Sequence, residues 1–297
     1  MAVDILQWIR DGRAHVRWGN IVSEHNGHTL VLNVMRDAMT FDEVPSMKWN
    51  RSIINASDLR DGVRMASTAK EKQQIADMMF CMLMTPKVTD LVWDAAGNDD
   101  NGVQMQSVIN VKNKIVATSN IHDVHDAVEA ALAKAGGDLG GFIAAVGKYW
   151  VLCNRLIGGK FGKLQAINYG WFHSGAGNRS VTGNGKVFQN IGGAHDCSHF
   201  DPSQVIRLMY RMGKLLRAGS SVWEDVDLAE LALDPELAPL ISHEGVLKTT
   251  RMPCVDEPMP VTEADGSITM PEMLILGDMP EVQPLLDRLF AARGAIA

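Results

Sequence analysis

The greatest density of side chains able to do chemistry lies in Gly192-Gly193-Ala194-His195-Asp196-Cys197-Ser198-His199-Phe200-Asp201. Two imidazoles four positions apart, with carboxylates beside them, have the donor chemistry of a zinc site. Such a site takes three protein ligands, leaves a fourth position to water and keeps an acid nearby as base. His195 and His199 supply two ligands and His173, on a neighbouring loop, a third. Asp196 is the candidate base, and Asp201 is either a ligand or a partner that orients one. The bland alternative is that Asp201 caps a helix while both histidines hydrogen-bond within their loop. Two glycines precede the histidines, and Pro202 pushes Asp201 out of helical geometry, so the pair is expected on a turn entering a helix.

The string Asp196-Cys197-Ser198-His199-Phe200 resembles the acid-x-x-His segment of the D-alanyl-D-alanine and L-alanyl-D-glutamate zinc peptidases. That resemblance implies that Asp196 activates water, that His199 binds zinc and that the substrate is a cell-wall peptide. The family also carries a His and an Asp seven residues apart upstream; here Ser180 stands seven residues after His173. A second likeness, through Asn168-Tyr169-Gly170-Trp171-Phe172-His173 and the later HDCSHFDPSQ, is to bacterial proteins of similar length and implies no mechanism.

Other candidates are weaker. The glycine-rich loop Ser174 to Gly185 lacks the phosphate-binding spacings and reads as a flap, with Arg179 placed to pair with a substrate carboxylate. Tyr169 and Trp171 read as buried strand aromatics, with a stacking wall as the alternative. His122, Asp123, His125 and Asp126 open a strong helix, where acids complement the dipole. Ser203 lacks a glycine elbow, and Cys197 between the histidines is either a thiolate ligand or a nucleophile.

The elements that must position these residues suggest an α+β fold: mixed helices and a small, mainly antiparallel sheet. Strands are expected at His15–Gly19 and Thr29–Met35 around a turn at His25-Asn26-Gly27. Residues 41–66 read as a loop-rich connection and 103–116 as strands. Thr68 with Glu71, and Thr85 with Pro86, signal two helix starts. Asp123–Lys134 reads as a helix, Leu164–Phe172 as a buried strand and Val187–Ile191 as its partner. The strongest helical spacing is Val205, Leu208, Met209, Met212 and Leu215 after Asp201-Pro202, with Arg207, Arg211, Lys214 and Arg217 on the polar face. Short helices at 226–233 and 235–241, a turn at Asp265-Gly266 and a closing helix at 280–292 complete the expectation.

Composition bounds the rest. Of 297 residues, 46% are hydrophobic and 21% charged, which describes a chain with a real core rather than disorder. Residues 221–297 hold 15 acidic and 4 basic residues and 8 of the 11 prolines, against a balance of +4 in residues 1–220. A core domain (1–220) is therefore expected to carry an acidic, Pro-rich C-terminal extension (221–297). No basic stripe points to nucleic acid, and no apolar run reaches the ~18 residues of a membrane helix. Four separated cysteines and the lack of a signal-peptide pattern suggest free thiols and a cytoplasmic protein as synthesised, with export by a non-classical or phage-like route as an option. The favoured function is a zinc-dependent hydrolase of an amide or peptide bond, with peptidoglycan peptide as substrate class. The alternative is a non-catalytic component of a phage-like or secretion assembly, a homo-oligomer whose acidic C-terminal region docks on the basic 202–217 helix of a neighbour.

Overall fold

A computed structural model describes residues 4–42, 62–105, 121–138, 140–172, 178–258, 261–262, 268–269, 274 and 276–294. Along the chain run α1 (Ile5–Arg10), β1 (Ala14–His15), β2 (Trp18–His25), β3 (His28–Met35), β4 (Thr40–Phe41) and β5 (Val63–Arg64). Next come α2 (Ala69–Met78), β6 (Cys81–Leu83), α3 (Pro86–Asn98), β7 (Val103–Gln104), α4 (Ile121–Lys134), β8 (Ile143–Ala144) and β9 (Lys148–Trp150). The second half holds β10 (Gln165–Phe172), β11 (Asn178–Arg179), β12 (Lys186–Asp196), β13 (Leu208–Leu216), β14 (Trp223–Asp227), α5 (Leu228–Leu231), β15 (Val261–Thr262), β16 (Ile268–Thr269) and α6 (Gln283–Gly294). The class is α+β, and every described strand pair but β7–β8 is antiparallel.

Local chemistry explains the starts and turns. Asn26 and Gly27 both take positive φ, which a two-residue hairpin between β2 and β3 requires. Thr68 Oγ1 accepts from Glu71 N at 3.1 Å while Thr68 N donates to Glu71 Oε2 at 2.8 Å, a reciprocal cap on α2. On α3, Thr85 Oγ1 accepts from Val88 N at 3.1 Å and Pro86 fills the first turn. Two larger sheets matter for the site. One has the order β14-β13-β3-β2, with β6 also on β13; the other has the order β11-β12-β10-β9. All eight residues of β10 are buried, Tyr169 and Trp171 among them.

The expected helix over 202–217 is overturned: Leu208–Leu216 is strand β13, between β3 and β14. Its pairing with β3 shifts between Met209 and Gly213, so four residues of β13 span only two of β3. That irregularity breaks the two-residue alternation of a strand and leaves apolar residues at three- and four-residue intervals. Gly213, costly inside a helix, was the contrary signal. Arg207 is wholly buried, and Arg211, Lys214 and Arg217 pair with Asp227, Asp225 and Glu224 across β14. The compositional change at Ser220 falls in the turn of this hairpin, and Leu228 to Met252 join the main apolar core.

Of the remaining expectations, 43–61 and 106–120 lie outside the described residues, as do Asp265-Gly266 between β15 and β16. The 226–233 helix is the four-residue α5, and 235–241 holds one 3-10 turn at Ala238–Leu240. Cys197 and Cys254 form a disulfide, which overturns the expectation of four free thiols; Cys81 and Cys153 are free and buried. With the partners 57 positions apart, linear spacing gives no sign of the pairing.

Candidate functional site

His195 and His199 come together at the exit of β12. Pairing with β10 sets His195 opposite Ala166 and Asp196 opposite Gln165. The chain then turns tightly. Cys197 N donates to Leu164 O at 2.8 Å, His199 N to Asp196 O at 3.2 Å, and Ser198 N and Oγ to Asp196 Oδ1 at 2.9 and 2.6 Å. Lys70 N, in the first turn of α2, donates to Cys197 O at 3.1 Å. The disulfide to Cys254 ties the same turn to the C-terminal segment. The imidazoles stack with centroids 3.8 Å apart and planes 12° off parallel, and both meet the edge of buried Trp150, at 6.2 and 6.3 Å. Trp150 is fixed in turn by Nε1 donating to Ser67 O at 2.9 Å.

The charges around the pair are ordered. Burial pushes the His195 pKa below its ordinary value, His199 and Lys148 push the same way, and Asp201 and Asp196 oppose them. His195 is therefore neutral at pH 7, the form that offers a lone pair to a metal or a proton. Asp196 is partly exposed, and hydrogen bonds from Ser198 hold its carboxyl below the usual range. For Asp201, burial acts upward, but the Lys148 ammonium at 2.7 Å and the Ser203 hydrogen bonds outweigh it, so this carboxyl too is held low. Asp201 Oδ1 accepts from Ser203 N at 2.9 Å: the residue closes an Asx turn instead of capping a helix.

The structure thus brings together His195, His199, Asp196 and Asp201, and it does not bring Arg179. That residue is exposed on β11 opposite Lys186, with Nε donating to Gly183 O at 3.5 Å. Lys186 and His195 are nine positions apart on β12, about 30 Å of strand, so Arg179 does not reach the histidine site. His173 lies outside the described residues; its neighbour Phe172 ends β10 opposite Val187. Cys197 is spent in its disulfide and is neither thiolate ligand nor nucleophile. Among the described residues, no three His, Cys, Asp or Glu side chains gather closely enough to hold a metal ion.

Several chemically important residues carry no sequence motif. Lys148 and Trp150, two apart on β9, border the site; the apolar run Tyr149 to Cys153 signals Trp150 as strand, and nothing in the sequence signals Lys148. Under Trp150 the Lys72 amine is wholly buried, 3.5 Å from Trp150 O and 3.4 Å from Val205 O. Burial, with Arg207 near, pushes its pKa down to about 7. Elsewhere a cavity of about 180 Å³ is floored by Asp37, Arg64 and His125. Arg64 Nε and Nη2 fork onto Asp37 at 2.9 and 2.6 Å, and this guanidinium outweighs burial to hold Asp37 ionised. His125, from the cluster that opens α4, is buried there against Arg64; the side chains of His122 and Asp123 lie outside the description.

Comparison with known proteins finds no matching family model, no similar curated protein and no similar solved structure. No helix among the described residues is long and apolar enough to cross a membrane.

Proposed function

We propose that the protein is a metal-dependent hydrolase that takes zinc on His195 and His199 and cleaves an amide bond of a peptide, with bacterial cell-wall peptide as the substrate class. One observation carries this: two imidazoles, one of them held neutral, share a half-exposed place beside two ionised carboxylates. Asp201, paired with Lys148 at 2.7 Å, would be the further ligand beside His195 and His199; the metal would activate a water and polarise the amide carbonyl, and Asp196 would take a proton from that water. The amide C–N bond breaks as the water oxygen joins the carbonyl carbon, giving an acid and an amine. A disulfide on the turn suits a substrate outside the reducing cytoplasm.

The second reading, a non-catalytic assembly component, rests on the acidic, Pro-rich C-terminal segment docking on the basic residues of 202–217 in a neighbour. Arg211, Lys214 and Arg217 are instead neutralised within their own hairpin, so we prefer the hydrolase. Zinc titration by calorimetry is the test. One zinc per chain, with affinity lowered at least ~100-fold in His199→Ala, is the expected result. Identical weak uptake by wild type and variant would remove the proposal.

A further inference from the structure

The free edge of β12 leads to the histidine pair. β11 covers only Val187 and Lys186, so among the described residues Phe188 to Asp196 have a strand partner on the β10 side alone. None of these nine residues is buried. No charge or proline guards the edge before Asp196, and Gly192-Gly193 let a second backbone approach. Several of the edge's backbone groups are already engaged: Gln189 Nε2 donates to Asn190 O at 2.9 Å, Arg155 Nη1 to Ile191 O at 3.0 Å, Gln165 Nε2 to Gly193 O at 2.9 Å and His199 N to Asp196 O at 3.2 Å, while the Asn190 side chain accepts the Ile191 N–H at 2.8 Å. The stretch nearest the pair with backbone groups left over is Gly192 to His195.

Beside that run lies a mainly positive surface, with Glu244 a nearby acid, Oε2 accepting from Asn154 N at 2.7 Å. The β9–β10 loop, residues 154–164, contains Arg155, Lys160 and Lys163 and no acid, in a chain of net charge −7. Lys248 joins it, its N–H donating to Asn154 Oδ1 at 2.7 Å. None of these four cations forms an ion pair among the described residues. Of the exposed large apolar side chains, Ile157 (45%), Leu164 (58%), Phe200 (45%) and Val246 (39%) all belong to this loop or to segments hydrogen-bonded to it or just beyond its bonded turn. Exposed apolar groups collected around unpaired cations mark a binding surface more than a solvated loop.

We propose that an extended acidic peptide adds to the β12 edge as a further strand, its main chain along Gly192 to His195. Its carboxylates meet Lys160, Lys163 and Lys248, and its apolar side chains rest on Ile157, Leu164 and Phe200. The hydrolase reading supplies the cleavage of the bound strand, and the proposal rests on it for that; the binding itself needs no metal.

The probe is a fluorescein-labelled peptide alternating glutamate and leucine, followed by anisotropy on the full chain with and without chelator. Binding is expected in both conditions, weakened about tenfold by Lys160→Glu combined with Lys163→Glu. Methylating alternate peptide nitrogens removes the donors of one edge, so one of the two alternate methylation patterns is expected to abolish binding and the other to leave it. No binding, or equal binding by both methylated peptides, would overturn strand addition. Equal affinity for a lysine–leucine peptide would overturn the acidic assignment. Uptake by phosphatidylglycerol vesicles in place of the peptide would make this a membrane surface and overturn the proposal too. Peptide binding that persists in His199→Ala, with zinc uptake absent even in wild type, would sink the hydrolase reading and leave this one standing.

Discussion

The β13–β14 hairpin and the turn after β12 are both rich in ionisable groups, and they use them in opposite ways. On the hairpin each cation has its own acid across the ladder: Arg211 with Asp227, Lys214 with Asp225, Arg217 with Glu224. At the turn two like groups, His195 and His199, lie face to face, and the nearby acids are held by Ser198, Ser203 and Lys148. Opposite charges in register stabilise a sheet and have no capacity left over. Like groups stacked together keep lone pairs that nothing in their own stack satisfies, and that surplus is what a ligand, metal or proton can use. Counting charges does not separate the two regions; asking what each charge faces does.

The strongest way to break the contrast is to release the turn. Cys254→Ser opens a tether closing 57 residues, and a loop of that size predicts a loss of about 4 kcal/mol in unfolding free energy. Urea unfolding measures the loss, and amide exchange locates it. Protection is expected to fall at 195–201 and to stay unchanged on β13 and β14. Loosening spread evenly over both regions would show that the turn is not an independent unit.

Lys72 sharpens the comparison from below, because it is a cation beneath the turn that has no carboxylate partner among the described residues. Its pKa lies near 7 in the fold and near 10.5 in the unfolded chain. Between those values the unfolded chain binds a proton that the folded one lacks, so stability rises with pH, by up to about 1.4 kcal/mol per unit. Below pH 7 both states are charged and the full cost of burying the ammonium applies. Lys72→Met is expected to abolish the rise and to be more stable than wild type at pH 6. Urea midpoints at pH 6, 8 and 9.5 decide it; a wild type equally stable at all three would mean that Lys72 is solvated.

How much of this was legible in sequence depended on how local the cause was. Caps are local, and Thr68/Glu71 and Thr85/Pro86 were readable because three residues fix each one. The turn at Asn26-Gly27 and the buried strand β10 were readable for the same reason. β13 was not, because its shifted pairing with β3 writes helix-like spacing onto a strand, and only the partner strand discloses it. At the site, the concentration of His195, Asp196, His199 and Asp201 was visible, but the ring stack over Trp150 and the Lys148–Asp201 pair are products of β9 and β12 meeting through β10. The Cys197–Cys254 bond and the remoteness of Arg179 depend on chain paths that no short motif contains.

The smallest effects test the hairpin's side of the contrast. Asp227 forks onto Arg211 Nε and Nη2 at 2.8 Å and also accepts from Ala229 N at 2.8 Å as the cap of α5. Asp227→Ala loses both roles and is expected to cost about 2 kcal/mol. Asp225 is 65% exposed and, among the described residues, pairs with the flexible Lys214, so Asp225→Ala is expected to cost at most about 0.5 kcal/mol. Because screening acts on exposed pairs first, the Asp225 effect should vanish in 1 M salt while most of the Asp227 effect remains. Equal costs for the two variants would mean that the ladder acts as one cooperative network. The hairpin would then be as finely organised as the histidine turn, and the difference between the regions would lie in exposure alone.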